Sequence, residues 1–138
     1  MSSAPKLALS IRAPWWWFIL HGGKDIENRE WPTRYRGPIF IHASKWFQPD
    51  DVKGEFSFAQ GVAKSRGCKL PSTTLRDLRD CGGSLVGRAR IVDCLTKSDS
   101  PWFFGRYGFA LADIEALPQP IPCKGKLGFF DVSEAVDA

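Results

Sequence analysis

Short runs in which apolar residues alternate with polar or small ones are the feature that most limits the fold of this chain. Residues 6–12, KLALSIR, alternate Leu7, Leu9 and Ile11 with smaller or polar side chains, which is the period-2 pattern of a half-buried strand. Residues 37–44, GPIFIHAS, are apolar enough for a central strand. These runs predict a fold built around a β-sheet.

Helical signals and further strands follow one another along the chain. Pro14 suits the first turn of a helix that runs to His21 and ends at the following pair of glycines. Residues 25–31, DIENREW, are predicted as a second strand whose side chains alternate between two faces. Two surface helices are predicted within 47–82, where polar starts and glycine ends occur without a period-2 run.

The C-terminal half is predicted to complete the sheet. Residues 84–96 indicate a long strand in which Gly87 favours a bend or a bulge. Prolines lie near the ends of the predicted closing strands, which are placed at 107–117, 119–125 and 127–132. The pattern predicts an α+β fold, a small bent mixed β-barrel with short helices packed around it. An open sheet is the alternative that periodicity leaves.

The composition is that of an ordinary globular chain with an excess of tryptophan. The chain has 138 residues, a net charge of +4 and six tryptophans, and one domain is expected over 1–138. The mildly basic balance is compatible with an anionic partner such as nucleic acid. Tryptophan supplies faces on which bases stack as well as core volume.

Membrane insertion and secretion are not expected from this sequence. No apolar run approaches the roughly 18 residues of a membrane span. Residues 1–14, MSSAPKLALSIRAP, lack the charged-then-apolar layout of a secretory signal. We therefore expect a cytoplasmic protein without a membrane partner.

The cysteines are widely separated and include no CxxC pair, at Cys68, Cys81, Cys94 and Cys123. In a reducing compartment such residues are most simply free thiols, some of them in the core. The spacing predicts neither a metal site nor a disulfide. Because no glycine-rich phosphate loop is present either, no metal and no cofactor are expected.

The densest set of polar side chains lies in residues 22–31, GGKDIENREW. Glu27 and Arg29 share one face of the predicted strand, and Lys24 stands at its start beside two glycines. A cation, a carboxylate and a guanidinium this close together are suited to orienting a planar polar ring. The alternative is a set of surface ion pairs worth about 0–1 kcal/mol.

Residues 9–44 resemble the opening of an ASCH domain, a branch of the PUA-like superfamily. The family motif G-x-K-x-x-E-x-R is matched here by Gly22, Lys24, Glu27 and Arg29. The later segments SLVGRARIVDC, SPWFFGRYGFAL and IPCKGKLGFF resemble the second half of the domain, so the resemblance covers about residues 7–132. One departure is Ala13, where many relatives carry a glutamine that presents a polar group.

The resemblance implies a bent β-barrel with a cleft beside the first helix. Similar proteins bind RNA or modified bases, hydrolyse N4-acylated cytidines, or have ribonuclease activity. The amidohydrolases place a threonine nucleophile three residues after the motif lysine, where this chain has Glu27. Glu27 would instead act as a general base on water while Lys24 stabilises the oxyanion. For Lys24 itself to act as a base, burial or a cation such as Arg29 must lower its pKa, which Glu27 would oppose.

The candidate catalytic residues are Lys24, Glu27 and Tyr107. Tyr107 is included because its hydroxyl can form a hydrogen bond with a nucleobase. Cations, aromatic side chains and two serines are the candidates for binding RNA or another ligand: Ser10, Arg12, Trp15, Arg29, Ser44, Lys45, Trp46, Trp102, Lys124 and Lys126. Trp15 is chosen from three consecutive tryptophans because they cannot all face one side of a helix. His42 is expected to be an interior histidine, and residues 102–104 are expected to be mostly core.

The predicted function is the binding of RNA, or of a modified nucleobase or nucleoside, in a cleft beside the GxKxxExR segment. The modest charge favours a short single strand or one nucleotide over a long duplex. Hydrolysis is compatible with the same residues, as an N4-acylcytidine amidohydrolase or a metal-independent ribonuclease. A non-catalytic protein-interaction adaptor is the remaining alternative.

Overall fold

The computed structural model describes residues 6–137, in which strands and helices alternate along the chain. In order, the elements are β1 (Leu7–Ile11), α1 (Trp15–His21), β2 (Ile26–Arg29), β3 (Gly37–Ala43), α2 (Pro49–Ser65), α3 (Leu75–Asp80), β4 (Ser84–Leu95), β5 (Tyr107–Pro122), β6 (Phe129–Asp131) and α4 (Ser133–Asp137). The predicted helix after Pro14 and the two surface helices are confirmed. The predictions for the N-terminal segment also involve residues 1–5, which lie outside the described residues.

The six strands form one mixed sheet that curls into a half-barrel, in the order β2-β5-β4-β3-β1-β6. β1 and β3 run parallel, with Ser10 opposite His42, and the other neighbouring pairs are antiparallel. Because parallel neighbours need a crossover connection, α1 and β2 lie between β1 and β3 in the chain. The predicted α+β fold, a bent mixed PUA-like barrel with short helices, is confirmed, with the sheet curled into a half-barrel.

The long strands bend where the sequence contains glycine and proline. The register of β4 against β5 shifts between Leu85 and Gly87, as predicted. Leu85 pairs with Ile121 while Gly87 pairs with Ala116. Residues 117–120 of β5 therefore form a bulge opposite a single residue of β4. The predicted break between strands at 107–117 and 119–125 is wrong: β5 is continuous, since prolines in a bulge need no ladder donor.

The central strands are buried on both faces, which explains why residues 37–44 are almost continuously apolar. Leu9 and Ile41 point into the main core, together with the helix α1. Ala8 and Phe40 directly precede these residues on the same strands and belong to a second core cluster with Phe130. Side chains that alternate along β1 and β3 thus fill two different cores.

The helices place apolar stripes against the sheet. In α1, Trp16 and Trp17 are buried while Trp15 is half-buried, as expected for consecutive residues of a helix. In α2, the buried positions Val52 and Ala59 follow one face of the helix, and the rest of it is largely exposed. No helix within residues 6–137 has the length and apolar character needed to cross a membrane.

Candidate functional site

One open cleft of about 1610 Å³ lies at the end of the β1–β3 pair, between α1, α2 and the segment after β5. Its walls come from the ends of β1 and β3, from residues 24–31, from α2, from residues 104–105 and from residues 122–128. The cleft brings segments together that are up to about a hundred residues apart in the chain.

Lys24 forms a buried part of this cleft. Gly22 donates its backbone N–H to the Phe18 carbonyl, and Gly23 has a positive φ of 75°, which closes the helix α1 and lets the Lys24 N–H bond the same carbonyl. The side chain is only 3% exposed, and its Nζ donates to the Ile26 carbonyl oxygen and to Glu27 Oε1. Nζ also lies 5.7 Å from the centroid of the Trp15 ring. Lys24 therefore has partners fixed by the turn that follows α1.

Burial lowers the pKa of Lys24 from its ordinary value. Removal of the ammonium from water is the largest cause, and the Arg29 guanidinium lowers the pKa further. Glu27 acts in the opposite direction through its charge and its hydrogen bond. The signs expected from the sequence for Arg29 and Glu27 are both confirmed.

Glu27 lies between two cations. Its Oε1 is 3.4 Å from Lys24 Nζ, and its Oε2 accepts from Arg29 Nε at 3.1 Å and lies 3.0 Å from Arg29 Nη2. Arg29 Nη2 also donates to the Ser10 carbonyl oxygen at 2.8 Å, so it ties β2 to β1. With the Lys24 and Glu27 side chains only 3% and 9% exposed, these are not surface ion pairs. Both oxygens of the carboxylate therefore contact cations.

Ser10 and His42 form a second polar group in the cleft. The Ser10 Oγ lies 2.9 Å from His42 Nδ1, and His42 Nε2 lies 2.6 Å from the Cys123 carbonyl oxygen. Burial lowers the pKa of His42, which is 1% exposed, although the hydrogen bond to Cys123 opposes this shift. His42 is the satisfied interior histidine that the sequence predicts, and its ring also contributes to the cleft wall.

The rim of the cleft carries exposed aromatic faces. The Arg12 guanidinium binds both carboxylate oxygens of Glu55 at 3.0 Å and lies 4.8 Å from the centroid of the Trp46 ring. Phe58 of α2 and Phe104 contact each other edge to face, with their ring centroids 5.9 Å apart, and each residue is 50% exposed. Such faces are available for stacking with a planar ligand.

The charge of the cleft is positive. Six cationic side chains line it, against the three carboxylates of Glu27, Glu30 and Glu55, which leaves an excess of three positive charges. The cations are Arg12, Lys24, Arg29, Lys45, Lys124 and Lys126. The excess of three positive charges in the cleft is nearly as large as the net charge of +4 of the whole chain.

The structure brings most of the predicted site residues together. Those that line the cleft are Ser10, Arg12, Trp15, Lys24, Glu27, Arg29, Ser44, Lys45, Trp46, Lys124 and Lys126. Trp102 is fully buried among core residues and contacts Phe18, so the expectation that its ring offers a stacking face is wrong. Tyr107 starts β5 opposite Arg29 and is not among the residues that line the cleft, so its contact with a ligand stays a prediction.

Several residues of the cleft are not found by sequence reasoning. Phe104, expected in the core, is exposed because Asn28 accepts from its backbone N–H and donates to the Trp102 carbonyl, which fixes the loop with Trp102 inside. Glu55 and Phe58 come from α2, whose position against the strands has no local sequence signal. Only the amide side chain of Asn28, within the GxKxxExR segment, offers a hint, since such side chains often hold loops.

Among residues 6–137, no group of three or more His, Cys, Asp or Glu side chains is arranged to hold a metal ion. The cysteines at 68, 81, 94 and 123 are all free and half-buried. The free thiols predicted from their spacing are confirmed.

Comparisons with known proteins agree with the resemblance seen in the sequence. The sequence pattern of the ASCH domain family matches residues 9–121. The chain is similar to human activating signal cointegrator 1, with 27% identity over 110 residues. That match includes 70% of this chain and 18% of the human protein, so the chain spans less than a fifth of its relative.

Proposed function

The chain belongs to the ASCH domain family, a family associated with RNA binding, and from this premise we propose that it binds a short single-stranded RNA in the cleft. The observation that carries the proposal is the combination of six cations and several exposed aromatic faces in one concave surface. Single-stranded nucleic acids are bound by this combination, because cations follow the phosphates while aromatic rings stack on bases.

The size of the cleft favours an oligonucleotide over one nucleoside. Pockets for small ligands commonly have volumes of about 300–1,000 Å³, whereas this cleft has about 1610 Å³ and opens to solvent. In the proposed complex, Lys45, Lys124 and Lys126 contact phosphates. The rings of Trp46 and Phe104 stack on bases, and the buried group around Lys24 contacts the edge of one base.

A salt titration tests the phosphate contacts. Binding of a fluorescently labelled single-stranded RNA is measured at several salt concentrations for the wild type and for Lys124→Ala/Lys126→Ala. For single strands each phosphate contact contributes about −0.7 to the slope of log K against log salt, so the double variant is expected to have a slope smaller by about 1.4. Lys64→Ala/Lys69→Ala, which removes two cations outside the cleft lining, is the matched control. Equal slopes for both double variants would contradict the proposal.

A modified nucleoside is a narrower ligand of the same cleft. Calorimetric titration with N4-acetylcytidine and cytidine measures whether the base alone is recognised. Affinity for one nucleoside that hardly changes with salt, together with no measurable affinity for the oligonucleotide, would assign the cleft to a nucleoside instead.

Hydrolysis is the second candidate function, and it is favoured by the buried Lys24. An amine with a lowered pKa loses its proton more easily than a surface lysine and then is able to act as a base. Glu27 is less suited to the role of base because both of its oxygens already contact cations. The wild type and Lys24→Ala are incubated, without added metal, with N4-acetylcytidine and with single-stranded RNA. Cytidine or cleaved RNA formed by the wild type alone would support hydrolysis, and no product from either protein would exclude both activities for these substrates.

A further inference from the structure

The hydrogen bonds of His42 fix the positions of its protons. A carbonyl oxygen only accepts hydrogen bonds, so the nitrogen that lies 2.6 Å from the Cys123 carbonyl, Nε2, must carry the proton. In a neutral imidazole the other nitrogen, Nδ1, then has a free electron pair. The Ser10 hydroxyl at 2.9 Å donates to that pair. The arrangement is that of a serine whose proton is held by a histidine, with a third group orienting the histidine.

The sheet holds this pair rigidly. Ser10 and His42 are opposite each other on the neighbouring parallel strands β1 and β3. A side chain at Gly125 would place its Cβ 2.7 Å from His42 Cε1 and 3.3 Å from the Ser10 Oγ, so a glycine is needed for this close approach. The Ser10 carbonyl is bound by Arg29. The Ser10 side chain remains partly exposed in the cleft, while His42 is almost fully buried.

We propose that Ser10 and His42 form a nucleophile–base pair for acyl transfer, acting on an ester or amide that carries a phosphate or another anionic group. The acyl chemistry follows from the pair itself, since an activated serine hydroxyl is a nucleophile for acyl carbonyls. The anionic group follows from the excess of positive charge in the cleft. This inference concerns the same cleft but does not rest on RNA binding, and it uses neither Lys24 nor Glu27 as the base.

The reaction balances with water as the only co-reactant. The Ser10 Oγ attacks the carbonyl carbon and its proton moves to His42 Nδ1, while the carbonyl electrons move onto oxygen. The intermediate collapses, the bond to the leaving alcohol or amine breaks, and the leaving group takes the proton from Nδ1. Water then attacks the acyl ester of Ser10 through the same proton exchange, which releases the carboxylic acid and restores Ser10. The charge on His42 during each step is stabilised by the Cys123 carbonyl.

Labelling with diisopropyl fluorophosphate tests the pair without any RNA. An activated serine forms a bond to phosphorus and releases fluoride, and mass spectrometry of the peptides shows which serine carries the adduct. Ser44 is the matched control, because it lines the same cleft but accepts a hydrogen bond from the Trp46 N–H at 3.1 Å. We expect an adduct on Ser10 and not on Ser44, and its rate of formation in His42→Gln lowered by about 100-fold or more, as for loss of a general base.

The wild-type result is decisive even if His42→Gln does not fold. The absence of an adduct on Ser10, or equal labelling of Ser10 and Ser44, would overturn the proposal and leave the two hydrogen bonds as a purely structural link. A folded His42→Gln protein labelled as fast as the wild type would overturn it too. Labelling of Ser10 in a protein that fails to bind RNA would refute the proposed function and support this inference.

Discussion

Replacement of Glu27 by glutamine is expected to destabilise the protein strongly, although it changes few atoms. The carboxylate lies 3.4 Å from Lys24 and 3.0 Å from Arg29, and the Lys24 and Glu27 side chains are 3% and 9% exposed. Removing one partner from a buried ion pair costs about 3–5 kcal/mol, because the remaining charge stays in a poorly solvated place. The lowered pKa of Lys24 limits this cost, since the lysine is able to lose its proton. We therefore expect a loss near the lower end, about 3 kcal/mol of unfolding free energy.

Urea unfolding followed by tryptophan fluorescence at pH 7 measures this loss. The matched control is Glu55→Gln, which breaks the partly exposed pair with Arg12 and is expected to cost at most about 1 kcal/mol. In thermal unfolding of a chain of this size, the Glu27→Gln loss corresponds to roughly 10 °C in Tm.

The pH dependence of the loss of unfolding free energy in Glu27→Gln distinguishes an unpaired buried charge from lost packing. In Glu27→Gln the folded pKa of Lys24 lies still further below its unfolded value, because the carboxylate that raised it is gone. Between these two pKa values the unfolded state binds one more proton than the folded state, so stability rises with pH by up to about 1.4 kcal/mol per unit. The loss of unfolding free energy relative to the wild type should therefore shrink as the pH rises through the interval between the folded pKa of Lys24 in the variant and that in the wild type. A loss no larger than that of Glu55→Gln, or one independent of pH, would refute the role assigned to the carboxylate.

Three further outcomes are expected. Phe104→Ala should weaken binding of single-stranded RNA by about 1–3 kcal/mol, the value of one stacked base, as measured by fluorescence titration. Gly125→Ala should lower the unfolding free energy by about 1–3 kcal/mol because its Cβ would lie 2.7 Å from His42, whereas Gly61→Ala, in open space on α2, should raise it by up to about 1 kcal/mol. The pKa values of His42 and His21 are lowered by burial, so the unfolded state binds more protons below pH 6.5. Urea unfolding should show a stability loss between pH 7.5 and 5.5 of at most about 1.4 kcal/mol for His42, and a smaller loss for the partly exposed His21.

Each of these outcomes has a simple control. Val92→Ala, at an exposed apolar residue that does not line the cleft, should leave RNA affinity unchanged. An equal loss in that variant would argue against stacking on Phe104. A Gly125→Ala protein as stable as the wild type would show that the loop moves away from His42 without cost. Stability that does not change between pH 7.5 and 5.5 would contradict the burial of neutral histidines.

Features that depend on neighbouring residues could be predicted from the sequence, and those that depend on distant segments could not. Lys24, Glu27 and Arg29 lie within six positions, so a turn and one strand suffice to bring them together. The contribution of α2 to the cleft depends on how the helix packs, which its own pattern does not encode. The sequence does not distinguish Trp102 from Phe104 for a related reason: both are aromatic, and hydrogen bonds of the Asn28 side chain fix the loop with Trp102 inward and Phe104 exposed.

The second core cluster extends the fold beyond the C-terminal end of the family match. The family pattern matches up to residue 121, but Phe130 and Val132 lie beyond that point and cover Ala8 and Phe40. β6 also pairs with the outer edge of β1. A fragment cut at the family boundary would leave an apolar surface beside an unpaired strand edge, which is the combination that promotes aggregation. In the intact chain the edge of the sheet is instead the three-residue strand β6, and the last ten described residues cover the apolar surface beside it.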